Sequence, residues 1–182
     1  MACTTTLTGI TFGCTDIPTG GITKVLLGDF ATVKAKVSAV ASTGVVTVTP
    51  SGAGLVTDGA VELFEFNIKD GFSVMTDVKT VNSDGTFTVV PTLSLEFPVM
   101  TAAKRLELEK ISSPLGRLIA FVETAAGTYH MLGYDFGVYF ASVDGSTGTG
   151  RAEKNRWQMT LTGEENSLSY NLDSTEWAKV IG

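Results

Sequence analysis

Among 182 residues the side chains that invite a chemical reading are few: the one histidine, His130, two cysteines, and a set of carboxylates that includes Asp144, Glu153, Glu164 and Glu165. A histidine acts as a base when a carboxylate orients it and a nucleophile lies within hydrogen-bond reach. His130 sits between Tyr129 and Met131 in a stretch that reads as a strand, so it is expected on a sheet face or at a subunit contact. The four carboxylates have glycine neighbours, which suits calcium, but the alternating Asp/Asn loop of an EF-hand is missing and they read as solvated loop residues. Ligand pairs at helical or CxxC spacing, the zinc pattern, are missing as well. The run Gly145-Ser-Thr-Gly148-Thr-Gly150 has the composition of a phosphate cradle. It continues into Arg151 and a strand, where a P-loop needs Lys-Ser/Thr and a helix, so a hairpin loop is expected. Cys3 and Cys14 are expected to be free thiols. No catalytic group, metal or cofactor is expected.

The bulk properties narrow the classes further. Net charge is −6, and the densest basic grouping, Arg151, Lys154 and Arg156, is diluted by Glu153. Phosphate-backbone binding needs clustered Lys and Arg, so a nucleic-acid binder is disfavoured, although an acidic wall can line a passage for DNA without holding it. The chain is 43% hydrophobic yet holds no continuous apolar run long enough to span a bilayer. Apolar character of that kind goes into subunit interfaces. The opening MACTTTLTGITFG lacks a basic n-region and an apolar core, so synthesis and folding in a cytoplasm are expected.

The elements that must carry these residues read as mainly β. Residues 1–21, rich in Thr and Gly, read as an arm or edge strand. Phe30–Val40 alternates Ala31, Val33, Ala35, Val37 and Ala39 with polar residues, the period of a half-buried strand. Val45–Thr49 follows, then Val61–Ile68 with Phe64, Phe66 and Ile68 on one face. Phe72–Val81 and Thr86–Val90 flank Asn82-Ser83-Asp84-Gly85, a hairpin signature in which glycine supplies positive φ, and Leu93–Phe97 is a separate short run. Thr101–Ser113 uses strong helix formers, with Thr101 able to cap its start and Pro114 to stop it, and is the one helix expected with assurance. Strands follow at Arg117–Thr124, Thr128–Leu132 and Asn155–Thr162, the last with Trp157, Met159 and Leu161 on a core face. Asp173–Gly182 is a tail, either a helical turn around Trp177 or extended. One domain over residues 1–182 is expected, a β-sandwich or partial barrel with a short flanking helix.

Arg117–Leu172, rich in strand and poor in edge-blunting Lys or Pro, suggests pairing between copies. The residues expected at such contacts are the turn Asn82, Ser83, Asp84 and Gly85, the loop residues Asp144, Gly145, Gly148 and Gly150, and Trp177, since interfaces are enriched in Trp.

Lys110–Leu172 resembles the C-terminal part of tailed-bacteriophage tail-tube proteins. The likeness lies in the helix Ala102–Ile111, the strand Arg117–Thr124, the turn Ala125-Ala126-Gly127, the return Tyr129–Gly137, the Gly/Thr loop Asp144–Gly150, and Asn155–Glu165 closing in Gly-Glu-Glu. The resemblance implies a virion protein whose copies form hexameric rings around a DNA channel. Its partners are then itself and other tail or connector proteins, with DNA as passing cargo, and the family has no catalytic residues to carry over. The first half of the chain, with its Thr/Gly arm, matches nothing in that pattern, which leaves tube, connector and hub ring open. A capsid decoration or head-fibre protein, or a carbohydrate-binding or adhesion module, are the alternatives from other classes, with a hydrolase last.

Overall fold

The computed structural model describes residues 20–40, 43–68, 73–112, 116–150 and 153–182. Strands β1 (Ile22–Asp29), β2 (Val37–Val40), β3 (Val45–Val48), β4 (Leu63–Asn67), β5 (Val74–Val81), β6 (Phe87–Pro98), β7 (Arg117–Thr124), β8 (Tyr129–Leu132), β9 (Val138–Ser146), β10 (Arg156–Gly163) and β11 (Tyr170–Leu172) form one mixed sheet. Helices α1 (Phe30–Lys34), α2 (Ala102–Ile111) and α3 (Ser174–Ile181) lie on it. The mainly β expectation holds, and the sheet does not close into a barrel.

The sheet bends at one corner. One limb runs β4-β1-β7-β8-β11-β3-β2, and β7 also meets β9 through Arg117↔Tyr139 and Leu118↔Val138. From there the second limb runs β9-β10-β6-β5. The pairing is antiparallel apart from the parallel contact of β11 with β3. β1 and β7 form the wall between two cores. Leu26, Ile119 and Phe121 face the first core, with Val46, Val48, Trp177 and Val180. Val25, Leu27, Ala120 and Val122 face the second, with Leu93, Leu95, Met159 and Leu161 from the other limb. Burial on both faces explains why Val25-Leu26-Leu27 and Ile119-Ala120-Phe121-Val122 are continuous apolar runs instead of alternating ones.

Several sequence expectations are corrected. Phe30–Val40 is not one strand: Asp29 caps a short helix by accepting from Thr32 N at 3.1 Å, and β2 begins at Val37. Gly28 makes that turn possible, because a Cβ there would stand 2.5 Å from Leu63 and 2.6 Å from the Val33 that the helix folds back. Among the described residues three helices form: α1 was not expected, and α3 takes the helical alternative for the Asp173–Gly182 tail. Thr86–Val90 and Leu93–Phe97 are a single twelve-residue strand. It runs through Pro91 because pairing with β10 starts only at Thr92↔Thr162, so no bond to that neighbour needs the missing N–H. Asp144 and Gly145 belong to β9, and the loop starts after Ser146. Phe64 is exposed and does not share a buried face with Ile68. Among the described residues no helix is long and apolar enough to cross a membrane. The expected arm up to Thr19, Cys3, Cys14, Arg151 and Pro114 lie outside the described residues.

Candidate assembly surfaces

The β5–β6 hairpin is built around its turn. Asn82 N donates to Thr86 O at 2.8 Å, Gly85 N to Asn82 O at 3.0 Å, and Gly85 takes φ 82°. Asp84 accepts from Thr86 N at 2.9 Å and from its hydroxyl at 2.6 Å, bonds that hold the Asp84 carboxyl below its ordinary pKa. Asn82 Nδ2 reaches the hydroxyls of Thr86 and Thr88. The sequence-predicted set Asn82–Gly85 is therefore one closed, exposed tip.

The arms below that tip carry the more telling feature. Every residue from 78 to 87 is exposed, so neither face of the ribbon rests on the body. Val78, Val81 and Phe87 nevertheless stand there, with Val81 paired across to Phe87 and 64% and 58% exposed. Lys79 Nζ lies 4.7 Å from the Phe87 ring centroid. A two-stranded ribbon without a core is marginal in water, and its large exposed apolar side chains make it a candidate contact surface. Among the described residues the outer edge of β5 pairs with no strand.

At the foot of the hairpin a cleft of about 480 Å³ opens between Phe87, Thr88, Arg117, Phe136, Tyr139 and the 164–166 segment. Glu165 organises it. Its backbone bridges Val89, and its buried carboxylate accepts from Asp135 N at 2.6 Å and Phe136 N at 3.1 Å. Asp135 returns the contact by accepting from Asn166 N at 3.2 Å. Burial raises the Glu165 pKa against the pull of those N–H donors. Arg117 donates to Phe136 O, beside the exposed rings of Phe136 and Tyr139. Aromatic residues and arginine are the types that anchor protein contacts. Sequence reading passed over Phe87, Arg117, Phe136 and Tyr139 because they come from four separate elements. Only the β7/β9 corner brings them together.

The other predicted residues divide. Asp144 and Gly145 are exposed positions of β9, and Gly145 pairs with Trp157. A Cβ at 145 would lie 2.4 and 2.8 Å from the Trp157 ring and 2.9 Å from Met100 Cε, so this glycine makes room for an indole. Gly148 (φ 71°) and Gly150 do lie in the loop, which Glu153 closes by accepting from Thr149 N at 2.6 Å and its hydroxyl at 2.9 Å. Those bonds keep the Glu153 carboxyl low. Trp177 is 5% exposed, stacked on Tyr129 at 4.8 Å within α3, and so is packed inside its own chain. Asp173 caps that helix by accepting from Glu176 N at 2.8 Å.

Register sets these pieces at two ends. β6 starts at the hairpin and ends at Pro98, which pairs with Arg156 beside the 147–155 loop. The tip Asn82–Gly85 and the loop with Gly148 and Gly150 therefore lie at opposite ends of the second limb, with the aromatic cleft at the hairpin end. At the loop end Glu96 is buried and bridged by Lys154 and Arg156.

His130 is half-buried with Nε2 3.1 Å from the Thr128 hydroxyl, and burial lowers its pKa. Among the described residues no group of three His, Cys, Asp or Glu side chains is placed to hold a metal. No family model, curated protein or solved structure matches the chain.

Proposed function

We propose that this chain is a structural subunit that assembles with copies of itself into rings, six-fold by the tail-tube resemblance, as part of a phage tail tube or head–tail connector around a DNA channel. The observation that carries the reading is the coreless β5–β6 ribbon, with Val78, Val81 and Phe87 in water and an outer edge unpaired among the described residues. Such a surface is unfavourable in a lone chain and is relieved by a neighbour. Contact elements at both ends of one limb suit a head-to-tail, heterologous arrangement, which closes into rings or continues into tubes.

The test is electron microscopy of the purified chain with light scattering for mass. Rings or tubes with a lumen wide enough for duplex DNA are expected, and a variant lacking Asn82–Gly85 should fold but not assemble. A monodisperse monomer or compact trimer at every concentration would overturn self-assembly and favour a decoration protein. The cleft with Phe87, Phe136 and Tyr139 favours one other reading, a carbohydrate-binding module, which glycan-array binding abolished by Tyr139→Ala would support.

A further inference from the structure

We infer that α2 is a displaceable helix, held across the mouth of the second core by a catch formed by Asn155, Val99 and Lys104. The inference stands independently of the assembly reading.

Only Leu108 of the ten helix residues is buried, with Ile111 half-buried beside it, while Leu106 is 56% exposed. The helix does not fill its seat. On one side an apolar groove of about 520 Å³ runs between it and Phe66 and Phe97. On the other a void of about 100 Å³ separates Leu108 and Ser112 from Val143 and Trp157. The Nε1–H of Trp157, one of the residues lining that void, is buried with no partner among the described residues. A docked helix that leaves a donor unsatisfied and two gaps unfilled has given up much of the gain that docking should bring.

The helix is also built to persist when displaced. Its ion pairs, Arg105–Glu109 and Glu107–Lys110, are internal to it, and Thr101 caps its start by accepting from Lys104 N at 3.3 Å. Neither device needs the body of the protein.

The catch is where strain sits. Val99 has φ 64°, the one positive value for a non-glycine among the described residues, and β-branched side chains avoid that region. Its conformation is pinned on both sides. Val99 N donates to Asn155 O at 2.8 Å, and Met100 N to Asn155 Oδ1 at 3.1 Å. Lys104 Nζ, from the first turn of α2, donates to the carbonyls of Pro98 and Val99. Release of α2 removes the lysine contact and lets residue 99 return to ordinary φ, so the strain favours release.

Hydrogen exchange of the intact chain, read by mass spectrometry with peptides over 102–111 and over β7, tests this. The α2 amides should exchange at least tenfold faster than those of β7, through a local opening. Val99→Asn suits the left-handed region without loosening the unfolded chain as glycine would, and should slow α2 exchange about tenfold. Lys104→Ala should speed it. Exchange of α2 only at the rate of β7 would overturn the inference by showing no separate opening. Unchanged α2 exchange in Val99→Asn, with β7 slowed, would overturn it by showing fraying that does not involve residue 99.

Discussion

Gly145→Ala probes how tightly the second limb is packed. The demand at this position is for space: the Cβ would sit 2.4 Å from Trp157 Cζ3 and 2.8 Å from Cε3, and the indole must move about 1 Å to restore contact distance. Met100 Cε, at 2.9 Å, is the end of a flexible side chain and can give way. Overpacking costs about 1–3 kcal/mol, and replacing a strand glycine by alanine returns about 0.5–1 kcal/mol, so a net loss of about 1–2 kcal/mol is expected. For a chain of this size that lowers Tm by about 2–8 °C. Denaturant unfolding of the two single variants and the double variant completes the test. In a Trp157→Ala background the space is empty, and Gly145→Ala should become neutral or stabilising, with a coupling of about 1.5–3 kcal/mol. Equal cost in both backgrounds, or a Gly145→Ala protein as stable as the parent, would refute the steric argument.

Further outcomes follow from the same structure. Trp157→Ala should cost about 2–3 kcal/mol, below the usual range for a buried tryptophan, since the ring is only partly buried and its N–H is unpartnered. Replacing both Val81 and Phe87 by Ser should leave thermal unfolding of the single chain unchanged while abolishing any rings seen by microscopy. Glu165 has a raised pKa, so the stability it contributes is full below the ordinary glutamate value of 4.5 and is lost as pH rises through its folded value. The stability of the parent relative to Glu165→Gln should therefore fall between pH 4 and neutrality, and a flat difference would contradict this. Asp58 behaves oppositely. Ser51 N and Ala60 N donate to its carboxylate and hold its pKa at about 2, so its contribution is present above 3.8 and lost as pH falls through 2. The deficit of Asp58→Asn at pH 7 should vanish in acid.

The elements legible in the sequence were those whose signals are local. Strand β7 and helix α2 run over the residues that a short apolar run ending at a turn, capping and helix propensity mark, and the Asn82–Gly85 turn closes as its composition demands. Phe30–Lys34 misled because its alternation of Ala, Val and Lys satisfies both periods over so short a run. The deciding facts, the Asp29 cap and the room at Gly28, depend on Leu63 from a distant strand. Gly145 looked like loop material for the same reason: its place follows from Trp157 across the ladder. The terminal position of Trp177 points to a contact between copies, where Trp is enriched, yet its burial is set by Tyr129 on another strand. The aromatic cleft, drawn from four elements, had no linear signal at all.

The wall shared by the two cores has a consequence for how the chain is made. β1 lies near the start and meets β4 on one edge, but the neighbour on its other edge is β7, so that edge stays unpaired until residue 124 has left the ribosome. Pairing across so long a loop makes for slow folding, and the nascent chain carries a half-paired Val25-Leu26-Leu27 strand throughout that interval. Yield in a host should therefore depend on the chaperones that meet the chain during synthesis, and a product ending before β7 should aggregate instead of forming half a fold.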